Sequence, residues 1–534
     1  MAGTSGRRLA SVAAAAAAMT LGALAAGDAA AQPKPLKVVP QADVRILDPF
    51  VNNAGITGEF AYMIYDTLLA QDTEGQPKPQ MAESYSVGAD GLTYTFKLRP
   101  NLKFSDGQPV KSADAVASVK RWAGRDLNGK KMVELGMTLA AVDDRTFTLT
   151  LKQPWGLVID SFAKTIGMAS YIMREKEALV DVNTAVTDIV GSGPYLFKKD
   201  EWVPGSKVVF VKNPDYVARA EPANFYAGGK IAKTERVEWI IIPDSNTAVA
   251  ALQAGEVDLL ETPANDLVPV LKKNKDIVLA IHNKSGFLAY LRPNFILPPF
   301  DNMKARQALL YAVNQEDYMA AAIGGDPTYW KACHAWLTCG TPYASEAGTD
   351  DFKKPNLEKA KALLKEAGYK GEKIVILQPT DFKVIRDLTE VTIQRLRELG
   401  LNIDIEAMDW GQLVLRRGKQ DPIGQGGWSM YHTYSTGLEL GPPVSNFNIS
   451  GACERKSWFG WPCDPETEKL RDAFAGEPDM AKRKAIAEQL QRRAAEFVHY
   501  VPLGQFFQPV AYRNTLKGVL EVPWQVYWNV EKQG

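Results

Sequence analysis

Cys333, His334 and Cys339 lie within the seven residues CHAWLTC, in a chain of 534 residues that has only four cysteines and four histidines. Such a cluster could bind a metal, take part in redox chemistry or close a disulfide. Cys453 and Cys463 form a second pair, in CERKSWFGWPC. Neither pair has the Cys-x-x-Cys or His-x-x-x-His spacing that structural zinc sites use. Four cysteines allow three disulfide connectivities, of which two local pairs are the simplest.

The compartment in which the chain folds bears on this choice. Residues 1–31 contain Arg7 and Arg8, then a stretch rich in alanine that ends at Ala31 in small residues. This pattern predicts a secretory signal peptide that is cleaved after Ala31, with the export route left open. The alternative is a membrane anchor, but the stretch is only weakly apolar. Because exported proteins fold in an oxidising compartment, we expect disulfides rather than a metal site.

Composition and motifs argue against several functions. Removal of residues 1–31 takes two arginines and one aspartate from 62 basic and 62 acidic side chains, which leaves a net charge of −1. This balance argues against nucleic acid as a partner. The H-E-x-x-H, G-x-S-x-G and G-x-x-x-x-G-K-[ST] motifs are missing, and the histidines are scattered, so no cofactor and no metal are expected. A glycosidase with paired carboxylates stays open, because such residues need not be neighbours in sequence.

Alternating apolar residues predict a β-rich unit with helices over residues 71–188. TYTFKLR at 93–99 and TFTLTLK at 146–152 place every second side chain on one face, as half-buried antiparallel strands do. Between these strands, Ser112 is expected to cap a helix that runs through ADAVASVKRW.

The second half of the chain predicts α/β structure. KIVILQP at 373–379 is a buried type of strand, residues 383–399 form a helix, and LNIDIEA at 401–407 alternates as a second strand. This order indicates a parallel βαβ unit within a doubly wound lobe. Two more helices are expected, one capped by Asn356 and one from about Met480 to Phe497.

A series of short segments follows the order typical of one protein family. They are RILDPF at 45–50, IYDTLL at 64–69, MAESYSVGADGLTYTFKLRPNLKFSDGQPVKSADAVASVKRW at 81–122, GSGPYLFKK at 191–199, VPGSKVVFVKNPDY at 203–216, AALQAGEVDLL at 250–260, PFDNMKARQALLYAVN at 299–314 and YVPLGQF at 500–506. With these segments the chain resembles the periplasmic solute-binding proteins of ABC importers, of the peptide/nickel type that includes dipeptide- and oligopeptide-binding proteins.

The resemblance implies an α/β, two-lobed periplasmic-binding-protein fold with a hinge and an extra β-rich subdomain in lobe one. The expected parts are a signal peptide at 1–31, lobe one at 32–70 and 189–285, its extra subdomain at 71–188, lobe two at 286–504 and a C-terminal return to lobe one at 505–534. Hinge crossings are expected near 283–291 and 502–506. Closure of the lobes would bury the ligand.

The segment GGWSMYHTYSTGLELGPP at 426–443 is the first source of candidate ligand contacts. It combines glycines with aromatic side chains that suit an amphipathic ligand, and Trp428, Tyr431 and Tyr434 are the candidates. Trp428 could instead alternate into the core of a strand. In peptide-binding members an aspartate of this segment pairs with the amino terminus of the peptide. The matching place here holds Leu438, so the neighbouring Glu439 is the candidate substitute.

The resemblance adds Arg121, Asn294, Gln505 and Phe506 as further candidates. Relatives can turn an arginine at the place of Arg121 toward the cleft, where it would favour a carboxylate on the ligand. In the alternative interpretation Arg121 is a solvated arginine at a helix end near Asp126. The ligand hypothesis predicts that Arg121→Ala weakens binding without lowering the melting temperature of the ligand-free protein.

These expectations describe a monomeric binding protein and not an enzyme. It would be the periplasmic substrate-binding component of an ABC transporter, which captures a peptide or another small amphipathic solute and delivers it to the transmembrane permease subunits. Two alternatives remain at this point: an exported hydrolase, and a ligand-sensing partner of a membrane receptor.

Overall fold

Two large β-sheets organise the part of the chain that the structure, a computed structural model, describes. The described residues are 34–533, apart from residues 456 and 478. The signal peptide predicted over residues 1–31 lies outside them. We call the elements around the first sheet lobe one and those around the second sheet lobe two.

Lobe one is built on a mixed sheet of seven strands. In spatial order they are Ile277–Ala280, Val510–Arg513, Leu259–Leu260, Leu36–Val39, Arg236–Ile240, Lys207–Lys212 and Tyr195–Phe197. Leu36–Val39 pairs in parallel with both of its neighbours, and the other pairs are antiparallel. The chain therefore returns to lobe one near its C-terminus, through strand Val510–Arg513.

Lobe two is built on a sheet of six strands. In spatial order they are Trp330–Lys331, Val501–Phe506, Phe287–Pro293, Met430–Thr436, Ile374–Pro379 and Ile403–Met408. The predicted βαβ unit is confirmed, because Ile374–Pro379 and Ile403–Met408 pair in parallel. The other prediction, a doubly wound lobe, holds only for this end of the sheet. Three of the five strand pairings are antiparallel, because each of the first four strands in this spatial order runs opposite to its neighbour.

The extra subdomain contains an antiparallel sheet of four strands. In spatial order they are Ala82–Val87, Thr93–Leu98, Thr146–Thr150 and Thr138–Ala141. The two strands predicted from alternation are confirmed, and Phe96 stacks on Phe147 between them, with ring centroids 5.1 Å apart. The predicted cap of the following helix is wrong by one residue. Lys111 is the N-cap and Ser112 is already helical, with its hydroxyl donating to the carbonyl of Asp143.

Helices cover the faces of these sheets. Those of eight or more residues are Gly55–Ile64, Ser112–Ala123, Leu127–Glu134, Ser245–Ala254, Met303–Ala312, Gln315–Ala322, Leu357–Glu366, Lys383–Glu398, Pro465–Gly476 and Met480–Phe497. Shorter helices are Val158–Ala163, Glu175–Ala178, Val268–Leu271, Trp410–Arg416 and Gly437–Leu440. Asn356 caps its helix as predicted, because its side chain accepts from the amide of Lys359. Within the described ranges, no helix is both long and apolar enough to cross a membrane.

The chain passes between the two large sheets twice, through residues 281–286 and 507–509. Asn283 stabilises the first crossing by donating from its side-chain amide to the carbonyl of Gly286, which has a φ of 64°. Gln508 stabilises the second by donating to the carbonyl of Pro263, 2.8 Å away. These short connections leave a cleft between the lobes.

Candidate functional site

The cleft between the lobes contains four chambers with shared walls. Their volumes are about 720, 290, 50 and 30 Å³, and we call them the large, second, connecting and basal chambers in that order. The connecting chamber shares Glu439 and Trp458 with the large chamber, Trp410 with the second chamber and Trp524 with the basal chamber. Every chamber has walls from both lobes, which is the arrangement expected of a site that closure assembles.

The large chamber is big enough for a small organic solute. Lobe one lines it with residues 125–128 and 164–168, and lobe two with residues 457–459 and the region around Leu438. Basic side chains outnumber acidic ones in its wall: the basic ones are Arg125, Lys130, Lys164, Arg455 and Arg483, and the acidic ones are Asp126, Asp160 and Glu439. Lys164 forms an ion pair with Asp126, so part of this charge is neutralised inside lobe one.

The second chamber has the opposite electrical character. Its acidic and basic wall residues are Asp43, Asp266, Asp381 and Lys383. Burial raises the pKa of Asp43, and the nearby charges of Asp381 and Asp409 raise it further, against the lowering effect of Arg45. The cleft therefore offers mainly basic groups at one end and mainly acidic groups at the other.

Tyr434 lines three of the four chambers, the second, the connecting and the basal. It lies on strand Met430–Thr436, and its ring makes edge contacts with Phe287, Phe382 and Phe506 at centroid distances of 5.0, 5.8 and 5.0 Å. These contacts hold the ring rigidly at the centre of the cleft. A fixed aromatic wall contributes apolar surface to binding at little entropic cost.

Glu439 lies between the large and connecting chambers and is only 8% exposed. Its carboxylate accepts from the backbone amide of Thr436 at 3.0 Å, while the Thr436 hydroxyl accepts from the Glu439 amide at 3.2 Å. This capping box fixes the side chain at the start of helix Gly437–Leu440. Burial raises the pKa of Glu439 to about 7, so the carboxyl titrates near neutrality.

Two further carboxyl groups lie beside the basal chamber. Gln41 links them, because its side-chain amide donates to Glu59 at 2.6 Å and its backbone amide donates to Glu261 at 2.7 Å. The Tyr527 hydroxyl also donates to Glu261. Burial raises the pKa of Glu261 to about 7, and burial together with the Glu261 charge raises that of Glu59 well above its ordinary value. This pair favours one shared negative charge over two.

Arg121 does not line the cleft chambers in the described structure. Its guanidinium is buried within lobe one, where it pairs with Asp48 at 2.7 Å and both side chains are fully buried. It also donates to the carbonyls of Val180, Asp181 and Thr184. The described structure does not show the solvated alternative either, because the Arg121 side chain is fully buried and Asp126 pairs with Lys164. The structure assigns Arg121 to the packing of lobe one.

Asn294 and Gln505 also direct their side-chain amides into lobe two. Asn294 is fully buried and donates to the carbonyl of Trp428 at 2.8 Å. Gln505 is 1% exposed and donates to the carbonyl of Ser285 at 2.8 Å. Both amides stabilise the strands next to the hinge, and neither residue is a chamber wall among the described residues.

Trp428, Tyr431 and Phe506 support the cleft from behind. Trp428 is fully buried and packs against Tyr431 and Trp461, of which Trp461 lines the large chamber. Phe506 is stacked on Phe287 and touches the ring of Tyr434. Of the eight candidates from the sequence, only Tyr434 and Glu439 therefore reach these chambers.

The sequence analysis missed several residues that line the connecting chamber. They are Trp410, Arg417, Phe447, Trp458 and Trp524. They come from four separate segments, and no motif marks them. The sequence hints at these residues only in MDWGQLVLRRG at 408–418, which contains a tryptophan and two arginines. A helix with one buried face would account for this composition equally well.

The two local cysteine pairs are disulfides. Cys333–Cys339 and Cys453–Cys463 have Cα–Cα distances of 5.9 and 4.4 Å. Within the described residues there is no cluster of three or more His, Cys, Asp or Glu side chains that could hold a metal ion. His334 instead lies beside Glu346, with Nδ1 3.6 Å from the carboxylate. The first disulfide therefore closes a loop of lobe two.

Comparison with known proteins shows the family. The profile of "Bacterial extracellular solute-binding proteins, family 5 Middle" matches residues 76–456, more than half of the chain. This chain belongs to that family of extracellular solute-binding proteins. Family 5 proteins bind solutes and are not enzymes, which favours the binding interpretation over the hydrolase alternative and gives the chain an extracytoplasmic location.

Two relatives and one solved structure illustrate the likeness. The chain is 39% identical to the "Probable peptide ABC transporter periplasmic-binding protein y4tO" of Sinorhizobium fredii. This alignment extends over 493 residues and covers 92% of each chain. It is 31% identical to the glutathione-binding protein GsiB of Escherichia coli K12, over 68% of each chain. The structure of AgaA from A. tumefaciens R10 in complex with agropinic acid superposes with a TM-score of 0.79, at 23% identity, over 94% of this chain and 99% of AgaA. The two-lobed α/β fold is thereby confirmed.

Proposed function

We propose that this family 5 protein is the substrate-binding component of a peptide-type ABC importer, and that it captures a peptide or another small amphipathic solute in the cleft between its lobes. The cleft carries the proposal, since chambers with walls from both lobes are the arrangement expected of a site that closes around a guest. The binding-protein names of y4tO and GsiB support the transport role. The closed protein would deliver its ligand to the membrane permease.

The walls suggest the chemistry of the ligand. Tyr434, Trp458 and Trp524 offer apolar surface, while the large and second chambers offer charges of opposite sign. A dipolar solute with an apolar body fits this arrangement. Glu439 titrates near neutrality and is already bonded to Thr436, so we do not propose it as a permanently charged partner of a free amino terminus.

The organisation of the chain completes the proposal. We propose cleavage of the signal peptide after Ala31, lobe one at 32–285 with its extra subdomain at 71–188, lobe two at 286–504, and a return to lobe one at 505–534. The two crossings between the sheets, 281–286 and 507–509, support boundaries near these positions. We further propose that the mature protein is a monomer in the periplasm. N-terminal sequencing and light scattering on the purified protein test these points.

Native mass spectrometry of the protein purified from its own host tests the binding function. We expect one unaltered small molecule per chain, and we expect its removal to open the lobes and enlarge the radius of gyration in solution scattering. Tyr434→Leu should lower the occupancy, whereas the control Tyr85→Leu changes a ring that packs on Phe96 in the extra subdomain and should not. Chemical turnover of the bound molecule would contradict the proposal.

A further inference from the structure

The extra subdomain contacts lobe two across the cleft. Lys131 lies on helix Leu127–Glu134 of the subdomain, and Asp472 lies on helix Pro465–Gly476 of lobe two. Nζ of Lys131 is 2.6 Å from the Asp472 carboxylate. The Lys131 side chain is 27% exposed and the Asp472 side chain is 56% exposed, so both groups can hydrate when they separate. The ion pair therefore joins two bodies that the hinge allows to move apart.

Few ion pairs connect the lobes in the described chain. They are Lys131–Asp472 and Lys272–Asp326, the second with a distance of 3.9 Å between the charged atoms. In both pairs lobe one supplies the lysine and lobe two supplies the aspartate. Lys131–Asp472 lies beside the large chamber, whose wall includes residues of both helices. Asp326 follows the segment 320–324, which lines the second chamber. The two pairs therefore lie beside different chambers.

Two further contacts lie in the wall of the large chamber. Asp160 of the subdomain and Arg483 of lobe two both line it. Burial raises the pKa of Asp160, and the charge of Arg483 partly offsets this rise. Here the subdomain supplies the acid and lobe two supplies the base. In the same chamber, a Cβ added to Gly167 of the subdomain would lie 3.4 Å from the carboxylate of Glu439 in lobe two. The subdomain therefore meets lobe two at more than one point.

Contacts within lobe two hold Arg483 in position. Its guanidinium donates to the carbonyl of Glu477, and its central carbon lies 5.7 Å from the ring centroid of Phe474. Phe474 in turn makes an edge contact with Tyr343, with ring centroids 4.8 Å apart. A side chain that is already held in place loses little entropy when its partner arrives. Lobe two is therefore prepared to receive the subdomain.

The charges on the two facing surfaces are complementary. The subdomain presents a base and an acid, Lys131 and Asp160, and lobe two presents the matching acid and base, Asp472 and Arg483. Such a pattern favours one arrangement of the two surfaces over displaced ones. Each exposed pair is weak, and salt screens it. A weak contact suits closure of the lobes, because closure has to reverse when the ligand is released.

We infer that the extra subdomain acts as an electrostatic clamp, whose Lys131–Asp472 ion pair holds lobe two against the subdomain when the lobes close. This role goes beyond the proposed binding function, because it belongs to residues 71–188 and needs no contact with the ligand. Neither Lys131 nor Asp472 is among the chamber walls in the described chain. The clamp stabilises the closed state, so it shifts the balance between open and closed protein without selecting a solute.

Distances between the lobes, measured by double electron–electron resonance, test the clamp. Nitroxide labels are attached to Ala140→Cys in the subdomain and Ala362→Cys in lobe two, both at exposed positions. The native cysteines are closed in disulfides and do not take the label. The protein is measured as purified from its own host, and again after its solute is removed by unfolding and refolding. Wild type should show one distance for the closed state and another for the open state.

Reversal of either charge should open the protein. Lys131→Glu and Asp472→Lys should each lower the ratio of closed to open protein roughly 2- to 10-fold, because like charges then face each other. The double variant should restore the ratio, since it exchanges the two charges. Lys97→Glu is the control, because Lys97 pairs with Glu83 inside the subdomain at 3.2 Å. This control should leave the ratio unchanged.

A water-soluble carbodiimide gives a second measurement, on wild type. It joins a lysine and a carboxylate that are in direct contact, as an amide formed with loss of one water. Peptide mapping should find Lys131 joined to Asp472, and high salt should reduce the yield because it screens the pair. The double variant should give the same amide with the two groups exchanged.

Several results would overturn the inference. They are an unchanged ratio in Lys131→Glu, an equal fall in Lys97→Glu, no recovery in the double variant, and no amide between Lys131 and Asp472. A fall of more than about 5 °C in the melting temperature of Lys131→Glu would also do so, since it would assign the pair to the stability of the fold. Lobes that close around the solute equally in every variant contradict the clamp and leave the binding function intact. A single distance in all samples contradicts both.

Discussion

Replacement of Arg121 provides the sharpest test of the structure against the sequence interpretation. Arg121 and Asp48 form an ion pair whose side chains are both fully buried. Removing one partner of such a pair leaves an isolated charge and costs about 3–5 kcal/mol. Arg121→Met should therefore lower the melting temperature by roughly 6–10 °C, at about 2 °C per kcal/mol for a lobe of this size. The sequence interpretation predicted no change in the melting temperature.

Thermal melting of ligand-free protein, followed by circular dichroism, measures this effect. Asp48→Asn should produce a similar fall, and the double variant should lose less than the sum of the two, because either substitution alone already breaks the pair. The affinity of folded Arg121→Met for its ligand should stay close to that of wild type, since Arg121 lies outside the chambers. A variant that melts like wild type but no longer binds ligand would refute the structural role.

Three further predictions concern stability. Because the pKa of Glu439 is raised to about 7 from 4.5, the folded chain binds this proton more tightly than the unfolded chain, and wild type loses stability as pH rises through this window. In denaturant titrations, the free energy of unfolding of Glu439→Gln should rise by about 2–3 kcal/mol relative to that of wild type as the pH goes from 5 to 8. The same pH dependence of the free energy of unfolding in both proteins would contradict this. Serine at both Cys453 and Cys463 opens a loop with a sequence separation of 10 and should cost about 3 kcal/mol in denaturant titrations without reductant. A Cβ at Gly191 would lie 1.9 Å from the carbonyl oxygen of Ile64, so Gly191→Ala should cost about 3 kcal/mol or more, whereas the control Gly476→Ala meets no atom within 4 Å and should be near neutral.

Local patterns in the sequence predicted local structure well. The alternating strands around Phe96 and Phe147, the cap at Asn356 and the helix Met480–Phe497 all form as expected. Each of these features depends on side chains that lie in the same helical turn or in the same strand. The misplaced cap at Ser112 shows the limit of such patterns, because that hydroxyl donates to Asp143 of a distant segment.

The short GSGPY segment has a structural explanation. Gly191 and Gly193 pack directly against the backbone of Ile64, where an added Cβ of Gly193 would lie 2.7 Å from the carbonyl carbon. Their lack of a side chain allows helix Gly55–Ile64 to approach the chain closely. This packing makes the segment part of the scaffold of lobe one.

The candidate site was predicted less well than the fold. The segment 426–443 supplies Tyr434 and Glu439 to the chambers, but its alternation also turns Trp428 into the core of lobe two. Which side of a strand faces a partner lobe depends on the register of the sheet and the position of the hinge. Neither can be read from one strand alone.

By itself, the sequence predicted several of the helices and strands, favoured the two short disulfide loops and indicated the family, because each depends on neighbouring residues or on the order of segments. Only the tertiary structure decided which arginine lines the cleft. Arg121 and Arg417 both lie at the ends of helices, and their local sequences do not distinguish them. The fold brings Asp48 from 73 residues away to neutralise Arg121, and it brings no carboxylate to Arg417 in the described chain. The role of a buried charge is set by the partners that folding delivers, and those partners are distant in sequence.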